Sequence, residues 1–118
     1  MTIGQQKQFN MAGQYPDRIK ALPMQIGKVD TSGKHKLEAK DCNILFANYK
    51  AGTSIPLHKH DNADIHGVVT KGEIILTLDG ETKKYGVGDW YHIPINTGHA
   101  TRFETETDEI EFWFKPNN

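Results

Sequence analysis

The sequence predicts an all-β domain, an antiparallel sandwich or barrel, and three observations carry that prediction. From Cys42 onward, short runs rich in β-branched and aromatic residues recur at near-regular spacing, bounded by Gly, Asp, Asn or Pro. One boundary, Asp79-Gly80, is a strong hairpin signal. No stretch repeats its apolar residues with a helical period.

Taken in order, residues 1–14 are rich in Gln, Gly and Asn with few apolar anchors, and read as a mobile arm before a single domain over 15–118. Pro16 and Pro23 break up the next apolar residues, and Met24 and Ile26 suit a first short strand. Residues 30–34 form a turn by composition, which leaves His35 in a polar turn with no assigned role, and 37–40 is ambiguous. Strands are then predicted over 43–50, 54–60, 64–70, 73–78, 81–85, 90–93, 100–104 and 109–114. Pro56 cannot donate to a ladder, so the second of these is short or lies at an edge. Alternation turns His99, Thr101 and Phe103 inward together and leaves Arg102 and Glu104 in water. In the last strand it groups Ile110, Phe112 and Phe114 as the inward set, with Glu111 and Lys115 opposite. The acidic residues Glu104, Glu106, Asp108, Glu109 and Glu111 then read as a solvated strand face and turn.

Composition narrows the function. With 118 residues the chain is one domain, large enough for a real core. A net charge of −1 without a basic face argues against nucleic acid, and no apolar run approaches a membrane span. Cys42 is the single cysteine, so no intrachain disulfide can form. A reducing compartment fits, and the cytoplasm is the default expectation.

Two stretches carry chemistry. Gly52 is followed after five residues by His58-Lys59-His60, after three more by Asp64, and after seven more by Gly72. Residues two apart on a strand share a face, so the two imidazoles point together, as a shared metal ion requires. The second stretch, Gly88 to His99, adds Pro94 and a further histidine.

Together these stretches resemble the two motifs of the cupin superfamily, over roughly 39–114. Three residues differ from the family pattern: Asp64 stands for Glu, Asn96 for Gly and Phe103 for Asn. The resemblance implies a jelly-roll β-barrel, a homodimer, and one divalent transition metal held by His58, His60, Asp64 and His99. His66, two residues beyond Asp64, is the alternative fourth ligand. Such mixed nitrogen and oxygen ligation suits Fe(II) first, with Mn, Ni, Co or Zn also compatible. Tyr49 and His92 are the candidate acid–base residues, and Phe46, Tyr91, Phe103, Phe112 and Trp113 are further candidates for a pocket wall. The function implied is a dioxygenase-type enzyme acting on a small organic molecule. A metal-assisted lyase or isomerase and a non-catalytic sensor are the alternatives. No inward arginine is evident to hold the far carboxylate of a two-oxoglutarate cosubstrate.

Overall fold

β-Branched and aromatic residues pack well on a pleated surface, and they recur in most of the ten strands found among the described residues, 15–26 and 33–116 of a computed structural model. Two antiparallel sheets result. The larger runs β1 (Met24–Ile26), β2 (Gly33–Glu38), β3 (Cys42–Tyr49), β10 (Thr107–Phe114), β5 (Asp64–Lys71), β8 (Trp90–Ile93). The smaller runs β4 (Ser54–His58), β9 (His99–Arg102), β6 (Glu73–Leu78), β7 (Glu81–Gly86). Sequence neighbours are shuffled between the sheets, giving a jelly roll whose two layers remain separate sheets. Pro56 lies, as expected, in a short edge strand, β4. Asp79 and Gly80 both take positive φ, 53° and 81°, as a two-residue hairpin between β6 and β7 requires.

The inner faces share one core. Tyr49, Ile65 and Val69 come from the larger sheet and Ile74 and Leu76 from the smaller, with Phe103 just beyond β9. The N-terminal segment adds a four-residue helix, α1 (Asp17–Lys20), too short to show any period. Tyr15 before it places its hydroxyl between the carbonyl oxygens of Ala47 and Glu109, at 2.9 and 2.7 Å, and its ring edge-on to Phe46. That contact fixes the segment against the larger sheet. The expected arm at 1–14 lies outside the described residues.

Three expectations are corrected. His35 is in β2, buried, with Nδ1 donating to the Leu22 carbonyl at 3.2 Å. In β10 the faces are opposite to those expected: Glu109, Glu111 and Trp113 border the interior cavity, while Phe112 stacks on exposed Trp90 outside. The acidic set therefore divides. Glu104 and Glu106 are exposed, but Asp108, Glu109 and Glu111 are buried. Alternation identifies which residues share a face; the pairing of β10 with β3 and β5, irregular at Asp108 and Glu109, decides which face is interior.

Candidate metal centre

β4 and β9 pair antiparallel with His58 opposite His99, and the chain leaving β4 carries His60 back toward both. The three rings meet with centroids 4.2 Å apart for His58 and His99, 4.8 Å for His58 and His60, and 5.2 Å for His60 and His99. The Nε2 atoms of His58 and His60 are 3.2 Å apart, and one nitrogen from each of the three histidines lies within 4.8 Å of the others. Donors on a common ion at bond lengths of about 2.1 Å are separated by about 3.0–3.4 Å, so the closest pair is already at ligating distance.

Backbone acceptors set the tautomers. Nδ1 of His58 donates to the Pro56 carbonyl at 2.8 Å, and Nδ1 of His99 donates to the Thr97 carbonyl at 3.0 Å. A carbonyl can only accept, so each Nδ1 carries the proton and each Nε2 presents its lone pair to the group. Burial depresses the pKa of His60, helped by the nearby His58 and His99 rings. Burial likewise depresses His99, overcoming its hydrogen bond to Thr97. Both imidazoles are held neutral, the form that ligates. Donor set, tautomers and electrostatics all fit a divalent transition metal.

Asp64 is not brought to these histidines. Ile65 faces the cavity, 1% exposed, and strand alternation turns Asp64 to the outside of the larger sheet. There its carboxylate meets His66, the alternative ligand, at 3.2 Å and His92 at 2.9 Å. His92, a candidate acid–base residue, is thus also outside. The signal was in β5 and the residue before it: Ala63, Ile65, Gly67 and Val69 form the small and apolar set of a two-residue repeat, and all four are buried.

Tyr49 does border the cavity, an apolar space of about 350 Å³ that the three histidines open into. Its ring stacks on Phe103, centroids 4.1 Å apart and 6° from parallel. Of the other expected wall residues, Phe103 and Trp113 line the cavity, Tyr91 lies buried behind it, and Phe46 and Phe112 are outside. Lys34 is a lining cation that sequence reasoning missed, its Nζ 5.3 Å from the Tyr49 ring centre.

Glu109 and Glu111 were missed as well. The Tyr91 hydroxyl bridges them, touching Glu109 Oε2 and donating to Glu111 Oε2 at 2.6 Å. Tyr91 reaches both because β5 carries Gly67 opposite it; a Cβ there would fall on the tyrosine ring. Glu111 Oε1 also accepts from Trp113 Nε1 at 3.0 Å. Burial, then the Glu111 charge and hydrogen bonding, push the Glu109 carboxyl well above the ordinary carboxylate range. One hydroxyl proton cannot satisfy two carboxylates, and the burial that raises the Glu109 pKa favours its protonated form.

The sequence model of the Cupin domain family matches residues 45–114. The chain belongs to the cupin family. Among curated proteins, the Bacillus subtilis (strain 168) quercetin 2,3-dioxygenase is 32% identical over 75 residues, which is 63% of this chain but 22% of that protein. This cupin therefore spans under a quarter of that relative's length. Among solved structures, an RmlC-like cupin from Shewanella frigidimarina NCIMB 400 aligns with a TM-score of 0.71 at 18% identity, covering 84% of this chain and 88% of that one. KdgF from a Halomonas species aligns with a TM-score of 0.69 at 20% identity, covering 81% and 88%. At such identities these two share the fold.

Two departures from the cupin motif have local explanations. Asn96, where glycine is usual, has φ of 62°, and asparagine is among the side chains that best tolerate that region. Its N–H donates to the His60 carbonyl at 2.7 Å, tying the second motif to the first. Phe103, where asparagine is usual, is the core ring under Tyr49.

Proposed function

We propose that this cupin is a metal-dependent enzyme acting on a small organic molecule, with dioxygenase chemistry as the leading assignment. The observation that carries the reading is a set of three convergent imidazoles at the mouth of an apolar cavity, two of which, His58 and His99, have their Nε2 lone pairs free by hydrogen bonding at Nδ1. The likeness to a protein named quercetin 2,3-dioxygenase supports the reaction class.

His58, His60 and His99 would hold the ion, Fe(II) by preference. When bound it supplies Lewis acidity and coordination positions beyond those of the protein. The Tyr49–Phe103 stack and the side chains of Ile65 and Ile93 form a wall that excludes water and suits a flat, largely apolar substrate. Lys34 gives that wall a positive group for an anionic or phenolic end. Tyr49 brings a phenol to the same wall and is the acid–base candidate of this reading.

The test is oxygen consumption by Fe(II)-loaded protein with a panel of phenols, enolisable diketones and thiols. Uptake with at least one of them, abolished in His99→Ala, is the expected result. Metal-loaded protein that binds ligands without turnover would leave a sensor. One observation favours a second reading, metal-assisted isomerisation or elimination: Tyr91 joins two buried carboxyl groups, Glu109 and Glu111, beside the cavity, and burial biases Glu109 toward its protonated form. Product formed without oxygen would select it.

A further inference from the structure

Outside the cavity, on the opposite face of the larger sheet, a second group of ligating side chains converges. β5 and β8 place His66 directly opposite His92, and Asp64 lies two residues along β5 on the same face. The two imidazoles stack with centroids 4.2 Å apart and planes 2° from parallel. Both turn Nε2 to one carboxylate oxygen: Asp64 Oδ2 is 3.2 Å from His66 and 2.9 Å from His92. The other oxygen, Oδ1, lies 3.1 Å from His92 Nε2 and accepts from the Ile95 N–H at 3.2 Å, which fixes the carboxylate. Phe114 holds His66 from the side, ring edge to ring face at 5.8 Å.

We propose that Asp64, His66 and His92 form a second divalent-metal site, separate from the cavity histidines and suited to Zn(II). A tetrahedral ion with bonds of about 2.0–2.1 Å has donors about 3.3 Å apart, close to both carboxylate–imidazole separations. One donor atom from each of the three residues lies within 4.8 Å of the others, so a small closing movement of the rings completes the triangle. Two neutral imidazoles and one carboxylate leave a +1 charge on the bound ion. The side chains are 36–47% exposed, so the fourth position opens to solvent and takes water. Three protein ligands with an open vertex are the arrangement of a reactive or bridging zinc, not of a closed structural one.

The test is equilibrium dialysis of the full chain against Zn(II), with elemental analysis, for the parent and for His92→Ala, Asp64→Asn and His99→Ala. The expected stoichiometry is about two zinc ions per chain for the parent and about one for each variant. His92→Ala combined with His99→Ala should hold about none. Circular dichroism checks that each variant keeps its strands; His92 and Asp64 lie outside the core, so neither change opens a cavity. Unchanged stoichiometry in both His92→Ala and Asp64→Asn overturns the outer site whatever the cavity does. A single zinc lost in His92→Ala and kept in His99→Ala upholds it and counts against the cavity centre instead.

Discussion

A histidine ligates through a lone pair, and which nitrogen offers it is decided by what the other one touches. Pro56 and Thr97 decide it for His58 and His99. Replacing His58, His60 or His99 with Ala should therefore lower metal affinity for the cavity by at least about tenfold, whereas Asp64→Ala should leave that site loaded. Dialysis against Fe(II) or Co(II) with elemental analysis measures both. The depressed pKa values of His60 and His99 set a pH window. Protons compete with the ion only below the ordinary histidine value of 6.5, so metal retention should hold from about pH 8 to there and decline beneath it. Release beginning above pH 7 would contradict ligands held neutral by burial of His99 and partial burial of His60. The same shifts mean that the unfolded chain binds more protons just below pH 6.5, so the metal-free fold loses stability as pH falls there. Glu109 runs the other way. Its raised pKa means the folded state holds the extra proton, so its contribution is lost as pH rises from 4.5 toward the folded value. Glu109→Gln should flatten that loss in denaturation curves taken across pH; a variant with the parent's slope would show that Glu109 is ionised in the fold.

At the scale of elements, β5 carries the most consequence per residue. Its inward set includes Ile65 in the cavity wall and Gly67 under Tyr91; its outward set includes Asp64 and His66. Gly67→Ala should destabilise by about 1–3 kcal/mol through overpacking against Tyr91, read as a lower midpoint in urea. The turn after β8 is the other sensitive point, because Asn96 holds a positive φ while bonding to His60. Asn96→Gly should be near neutral, and Asn96→Val should cost on the order of 1–2 kcal/mol with weaker metal binding, since a β-branched side chain resists that backbone. Equal midpoints for the two variants would refute the argument.

Across the whole molecule, the jelly roll brings together residues about forty positions apart, and an ion bound between them acts on the folding equilibrium. Saturating metal at 100 times its dissociation constant should stabilise the native state by about 2.7 kcal/mol, seen as a higher melting temperature that chelator reverses. His99→Ala should lose most of that increment if the cavity carries the tighter site. No helix among the described residues is long and apolar enough to cross a membrane.

The amino-acid sequence by itself determined the strands from β3 onward, their turns and the two-motif histidine pattern, because turn chemistry, β-propensity and spacing act over a few residues. Asp79-Gly80 and the His58–His60 pair were legible for that reason. It did not determine which face of a strand is interior. Alternation in β10 allowed Phe112 or Glu111 inside, and in β5 the motif spacing offered Asp64, with His66 as the alternative, as an inward ligand although the inward set is that of Ile65; each is a one-residue question. Only the tertiary structure decided them. It seats β10 between β3 and β5, where Tyr91 meets the two glutamates over Gly67, and it pairs β5 with β8, where His66 meets His92 outside. Those partners come from strands far apart in the chain, so no local pattern announces them. A buried carboxylate becomes tolerable only once the groups that share its proton have arrived.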